Sequence, residues 1–436
     1  MKKIFFLVIG LIAVFLTGCG DSKPIETSEI TGKEIKSDVK AEIKIWSWDV
    51  AALGLKETIP SFNKKYPNVK VIVEEVGSGD TYQKLTIGLN SNTGLPDIMT
   101  IETDVFIKYP PNFPNGFYDL TKVSANLEND FDPSKWQLGM YENKLYALPW
   151  DSAPAGIFYR RDFFENGGVD PETIKTWDDF IEAGKKIQAA NPGVKMIPIN
   201  YAKETSIHSM MVNSLGSGNF NSEGQITVAD ESNIKALKMQ KRFIDEDISY
   251  NADSWNTLVI ATKNDEVATV LYGGWWGGTL KDQMPEQSGK WGVIPIPSFE
   301  KNGKRVSYSG GASLAIPSQS KNAELAWEFI KNAVATKENQ LLMYKKYDLF
   351  PSYLPTFEDK YFKKGDPYFA GQKVSELFAK MVPFINKEYG TEDDSEAIDY
   401  LLDAQAAVLT GDADVEKVLK NAAEAIKTAT HRSIAD

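Results

Sequence analysis

The chain has 436 residues but a single cysteine, Cys19, and only two histidines, His208 and His431. One thiol cannot close an intrachain disulfide. Two isolated imidazoles are a poor basis for a zinc or manganese site, so no metal is expected. Positive charge is also in short supply. Against 60 Asp and Glu stand 48 Lys and Arg, a formal net charge of −12, and phosphate-rich nucleic acid would be repelled by that balance. The apolar run from Ile4 to Leu16 is too short to be a lone membrane span. No pair of carboxylates is singled out by spacing as an acid and base pair, so no catalytic residue and no cofactor are expected. The acidic run Glu392 to Glu396 could attract Ca²⁺, but at a helix start it reads as a solvated cap.

What the chain does have begins at its N-terminus. Lys2 and Lys3 precede the apolar run, which ends in Leu16-Thr17-Gly18-Cys19 with no A-x-A-like cleavage site. That tetrapeptide resembles a bacterial lipobox. It implies a signal peptide over 1–18 and a diacylglyceryl group on Cys19, whose two acyl chains would anchor the protein stably where one would not. With Cys19 so used, thiolate chemistry is excluded. Residues 19–40 are polar and nearly free of aromatics, and are expected to be a flexible tether.

Aromatics are plentiful: 10 Trp, 18 Tyr and 22 Phe. The length favours two domains. From Ala41 the pattern alternates. Glu42-Ile43-Lys44-Ile45-Trp46, Val69 to Val73 and Pro96 to Ile101 read as strands. Helices are expected over Ala51–Tyr66 and Thr81–Asn92. Strand–helix–strand order means parallel βαβ units, and ligands collect at the carboxyl ends of such strands. Those ends carry Trp48-Asp49 and Glu102-Thr103-Asp104. Extended, proline- or glycine-bent runs at Lys144–Asp151, Ser307–Pro317 and Phe350–Pro355 read as three crossings between two lobes, with a cleft between them. Thr176 and Asp179 read as a capping box, and Asp414 as the N-cap of the last helix. Trp291–Pro297, broken by proline, suits a sheet edge.

The chain is organised around Gly273-Gly274-Trp275-Trp276-Gly277-Gly278, which follows the strand-like Val267–Tyr272. Glycine allows close backbone approach, so both indoles can be presented at a strand end. An indole face matches the C–H face of a pyranose, while carboxylates and amides can take the hydrogens of its hydroxyls. Tyr201 at a strand end and Trp255 in a polar loop are further candidates.

The order of these landmarks resembles the extracellular solute-binding proteins of carbohydrate ABC importers, of the maltose and multiple-sugar type. The resemblance is carried by the lipobox, Phe62-Asn63-Lys64-Lys65-Tyr66-Pro67-Asn68, Leu95-Pro96-Asp97-Ile98, Leu148-Pro149-Trp150, Phe158-Tyr159-Arg160-Arg161-Asp162, Gly273-Gly274-Trp275, Gly310-Gly311-Ala312-Ser313 and Ala323 to Ile330. It implies an α/β, two-lobe, type II periplasmic-binding-protein fold with a multi-strand hinge. Lobe 1 would be 41–149 plus 310–352, and lobe 2 would be 150–309 plus 353–436. It also implies a sugar, expected to be an oligosaccharide, contacted by Trp48, Asp49, Asp104, Trp150, Asp151, Trp275, Gly310 and Gly311, with Trp276 a further candidate from its place beside Trp275. Where many members carry an arginine near the third crossing, this chain has Ser352-Tyr353, and Tyr353 is the candidate there. The implied protein is a monomer, held by lipid on the outer face of the cell membrane and delivering its ligand to a permease. The competing reading from another class is a surface-anchored glycoside hydrolase.

Overall fold

A computed structural model describes residues 29–435; Cys19 and the signal peptide lie outside them. The chain builds two α/β lobes. The first is assembled on a five-stranded sheet in the order Val69–Glu75, Ala41–Ser47, Ile98–Glu102, Ala312–Ala315, Ala147–Pro149. The first three are parallel, as the βαβ reading requires, with Ile45 opposite both Val73 and Ile98. The fourth strand returns from far along the chain and runs antiparallel to both neighbours. Alternation does its expected work here: Ile43 and Ile45 are fully buried, while the intervening Glu42 and Lys44 face out. Helix Asp49–Lys65 lays Ala51, Leu55 and Phe62 on this sheet, beside helix Ala323–Val334 with its Ala326, Phe329 and Ile330.

The second lobe is centred on strand Ala155–Arg160, flanked antiparallel by Thr269–Gly273 and Trp291–Pro295. The proline-ended strand is at an edge, where a missing N–H does no harm. A parallel pair, Ile197–Ile199 with Ser249–Asn251, is tied on by the bond from Thr269 N to Met196 O. Helices Trp177–Ala190, Glu231–Asp245, Asp394–Leu409 and Val415–Thr430 bury their apolar faces in this lobe. The Thr176–Asp179 capping box is present in both directions, and Asp414 accepts from Lys417 N at 2.8 Å.

The three crossing segments run side by side. Trp150 N bonds to Ala312 O, Ser152 N to Phe350 O, Ser352 N to Trp150 O, Ala155 N to Ser307 O and Ser309 N to Ala153 O. Backbone bonds thus knit the junction across more than two hundred residues of sequence.

Two expectations are corrected. The tether does not extend to residue 40: Ile30 is 1% exposed in the first lobe's core, Ile35 and Val39 pack against it, and Thr31 bonds Glu324 through both its amide (2.8 Å) and its hydroxyl (2.6 Å). Isolated apolar residues in a polar stretch were enough to dock it. Phe350, placed in lobe 1 from the sequence, packs instead with Phe158, Phe362 and Phe378 of the second lobe. Helix Lys337–Tyr347 serves both cores, with Met343 in the first and Leu341 and Tyr344 in the second.

Candidate functional site between the lobes

The glycine-flanked tryptophans end up on opposite sides of their backbone. Strand Thr269–Gly273 stops and helix Trp276–Gln283 begins between them. Trp276 turns inward and is fully buried, so it is a core residue and not a sugar platform. Trp275 stays half-buried, and its indole N–H donates to Ser309 O at 2.9 Å on the second crossing. Gly273 makes this possible: a Cβ there would lie 2.5 Å from Trp275 Nε1 and 2.8 Å from Ser309 O. Gly310, at φ +80°, lies under the same indole.

Around Trp275 gathers an aromatic group. Trp255 lies 6.0 Å away, tilted 39°, and Tyr272 lies 5.1 Å away. Trp255 begins its own helix, Trp255–Lys263, and is 46% exposed, an unusual position for so large an apolar face unless something covers it. Trp255 and Trp275 line a compartment of about 770 Å³ whose opposite wall is Val50, Lys346, Tyr347 and Leu349.

On the other side of Ser309 and Gly310 lies a polar compartment of about 390 Å³, lined by Asp104 from the first lobe and by Glu204, Asn213, Asn219, Glu388 and Asp394 from the second. Tyr308 donates to Glu388 Oε2 at 2.6 Å. Burial pushes Glu388 above the usual carboxylate range, despite the Tyr308 bond. Burial drives Asp394 up to about 7, against the bonds from Thr391 N and Asn219. The acidic run does open helix Asp394–Leu409, with Glu396 exposed, but its other acids are not simply solvated. Asp394 folds back into the cleft, and Glu392 and Asp393 are paired with Arg432.

Behind Gly310 is a buried lysine. Lys135, on the short helix Pro133–Leu138, has no exposed surface. Its Nζ sits 3.5 Å from the centroid of the Tyr308 ring and donates to Gly310 O. Burial lowers it to about 8, opposed by Asp132, Asp104, Asp151 and Glu388. Asp151 is raised to about 6 by burial and accepts from Ala153 N.

Asp104, Gly310, Trp255 and Trp275 thus line the two compartments. Trp48 stands edge-on to Tyr82 at 6.2 Å, whose hydroxyl donates to Glu102 at 2.8 Å, so it belongs to the same strand-end rim as Asp104. Asp49 is exposed, at φ +40°, beside Val50. Asp151 and Gly311 belong to the junction: Gly311, at φ +104°, leaves a Cβ only 2.5 Å from Asp151 O.

Three candidates fall elsewhere. Trp150 is 1% exposed in the first lobe's core, because the extended crossing alternates sides and its ring takes the inward one. Tyr201 spends its hydroxyl on Ser249 at 2.8 Å and packs on the second lobe's core. Tyr353 packs on Phe131, 5.3 Å between centroids, and Ser352 is fully buried, so this pair does not line either compartment.

Residues 45–340 match the bacterial extracellular solute-binding protein family. The chain belongs to that family. It is 31% identical over 395 residues to a lactose-binding protein of Rhizobium radiobacter, spanning 87% of this chain and 90% of the relative. To an arabinooligosaccharide-binding protein of Bacillus subtilis it is 26% identical over 420 residues, spanning 92% and 93%. The sugar-binding protein MalE of Xanthomonas citri superposes with a TM-score of 0.76 at 17% identity, over 89% of this chain and 96% of that one, which confirms the two-lobe fold.

Around the two compartments of this solute-binding protein, the sequence reading did not single out Glu204, Tyr308, Glu388 or Asp394, which line the polar one, nor Tyr272 and Lys135, which bond to its walls. The raised carboxyls have a consequence for stability. A carboxyl whose folded value exceeds its unfolded one of 3.8 stabilises the fold in its protonated form, fully below about 3.8, and loses that contribution as pH rises. The windows end at about 6 for Asp151 and about 7 for Asp394. Asp394→Asn keeps an acceptor without the charge. Its stability relative to the parent is expected to improve between pH 5 and pH 8, on the order of 1–2 kcal/mol. Thermal melts of both proteins across that range check it, and a flat or opposite difference would refute the assignment.

Proposed function

We propose that this solute-binding protein takes a sugar, of oligosaccharide size, between its lobes outside the membrane and delivers it to the permease of an ABC importer. The observation that carries this reading is the Trp255–Trp275 wall facing Val50 and Leu349 across the 770 Å³ compartment. Flat apolar faces for sugar rings stand next to hydrogen-bonding carboxylates and amides for hydroxyls. The sugar names of its relatives support the same class. A thermal-shift screen against mono- and oligosaccharides tests it, since a ligand that binds only the native state raises the melting temperature.

Binding closes the lobes about the three crossings, with 41–149 plus 310–352 and the docked segment 30–40 moving against 150–309 plus 353–436, apart from Phe350, which travels with the second group. Hinge closure on a ligand is an established mode of such two-lobe architectures. The protein acts as a monomer and without turnover. Conversion of a bound oligosaccharide by the pure protein, lost on changing Asp49, Asp104 or Asp151, would instead establish the glycoside hydrolase.

Cys19 carries the lipid that holds the protein at the extracytoplasmic face. Cys19→Ala is expected to abolish lipidation and release the protein from membranes, because among the described residues no helix is long and apolar enough to cross one and the leader's apolar run is itself short. Fractionation with radiolabelled palmitate is the check; a mutant still labelled and membrane-bound would reject the anchor.

A further inference from the structure

A third, small cavity borders both compartments: Glu204 and Ser206 line it and the polar one, and Trp255 lines it and the aromatic one. Tyr272 donates to Glu204 at 2.9 Å, and Glu204 lines the polar compartment. The same Tyr272 stands 6.3 Å from Trp255, which lines the aromatic one. Trp275 and Ser309, joined by the indole hydrogen bond, make a second link. Shared lining residues thus run from the indoles toward the compartment that holds Asp104 and Glu388. Each compartment alone is within the size range of small-molecule sites, roughly 300–1,000 Å³.

Acidic groups outnumber cations in the lining. Asp104, Glu204, Glu388 and Asp394 line one compartment and Asp282 and Asp348 the other; Asp348 is paired with Lys281 at 3.5 Å, and burial holds Glu388 and Asp394 above the usual carboxylate range. The lining cations are two lysines, each already paired: Lys203 with Asp253 at 3.0 Å and Lys346 with Glu57 at 2.8 Å. No arginine or histidine lines either compartment among the described residues. Lys135 is held behind the backbone by Gly310 O and the Tyr308 ring. An entering carboxylate or phosphate would find acidic neighbours, Asp104 and Glu204 among them, and no unpaired lining cation, and anions held in protein sites are recognised by forks of Arg or Lys donors. Sugar hydroxyls, by contrast, donate to carboxylates at no such cost.

We propose, resting on the sugar-binding reading above, that the ligand is an uncharged oligosaccharide of two or more units laid across both compartments, and that the cleft rejects sugars bearing carboxylate or phosphate. The specificity is set by repulsion as much as by attraction, an arrangement that discriminates without any extra contact to the correct ligand.

The test uses the full chain in detergent and calorimetric titration with matched probes: galactose, arabinose, glucose, β-1,6-galactobiose, arabinotriose, cellobiose, digalacturonate and galactose 1-phosphate. At least one neutral di- or trisaccharide should bind, its monosaccharide roughly tenfold or more weaker, and the uronate and the phosphate roughly 100-fold or more weaker. In Asp104→Asn and in Glu204→Gln, which retains the acceptor for Tyr272, the penalty on digalacturonate relative to galactobiose should shrink severalfold. Binding of digalacturonate or the phosphate as tightly as a neutral probe overturns the charge claim, as does an unchanged penalty in both Asp104→Asn and Glu204→Gln. A monosaccharide matching the best oligosaccharide overturns the two-compartment claim. Silence across the whole panel sinks the sugar-binding reading itself, and this inference with it.

Discussion

Trp275→Ala is expected to weaken sugar binding by roughly 30- to 700-fold, the equivalent of about 2–4 kcal/mol for a central aromatic anchor. Two losses combine in that figure. The indole face that contributes to the wall with Trp255 disappears. So does the N–H that ties the strand end to Ser309 on the second crossing, leaving that carbonyl to water and the crossing less constrained. Trp275→Phe keeps part of the face but not the donor, and should fall between parent and alanine. Trp276→Ala supplies the contrast. Its ring is fully buried beneath the same turn, so truncation should cost about 3–5 kcal/mol of fold stability while affinity in the surviving folded protein changes less. Titration calorimetry of the three variants, with melts of the apo proteins, separates the roles. Parent-like affinity in Trp275→Ala would make the indole a bystander. A melting loss in Trp275→Ala as large as that of Trp276→Ala would make it core.

The neighbouring tryptophans also show where sequence reading runs out. Alternation with period 2 identified the first strand because one of its faces is buried, as Ile43 and Ile45 show. At Gly274 the chain passes from a strand to a helix, the period changes, and which of two adjacent indoles faces the core depends on the turn. The same ambiguity misplaced Trp150 on an extended crossing. The cleft acids were hidden for a different reason. Glu388 meets Tyr308 eighty residues back in the chain, and Asp394 meets Asn219 across 175. No local pattern distinguishes such carboxylates from the solvated helix-start acids they resemble. Trp255 could be singled out because a large aromatic in a polar stretch is odd in itself; Glu204, in the same kind of stretch, is not.

Lys135→Ala is expected to be the most destabilising substitution in the junction, about 3–5 kcal/mol at pH 7, the range for removing one partner from a buried charge group. In sequence Lys135 looks like any lysine on a short helix. Closure of the second crossing over it removes all its exposed surface and surrounds it with Asp132 and Asp151. Its ammonium holds both carboxyls lower than burial alone would leave them. Without it Gly310 O loses its donor, the Tyr308 ring loses its cation, and two enclosed carboxyls face each other unneutralised. Lys135→Met should recover the packing of the stem but not the charge, and so only part of the loss. The pH dependence carries the diagnosis. In either variant Asp132 and Asp151 are raised further, so they fold protonated over a wider range, and that contribution is present at low pH and lost as pH rises. The deficit against the parent should therefore shrink between pH 7 and pH 5. Urea unfolding of parent and both variants at the two pH values is the measurement. A deficit that stays constant with pH in both variants would mean that Lys135 acts through packing and its bond to Gly310 O, and that its charge is not what stabilises the junction.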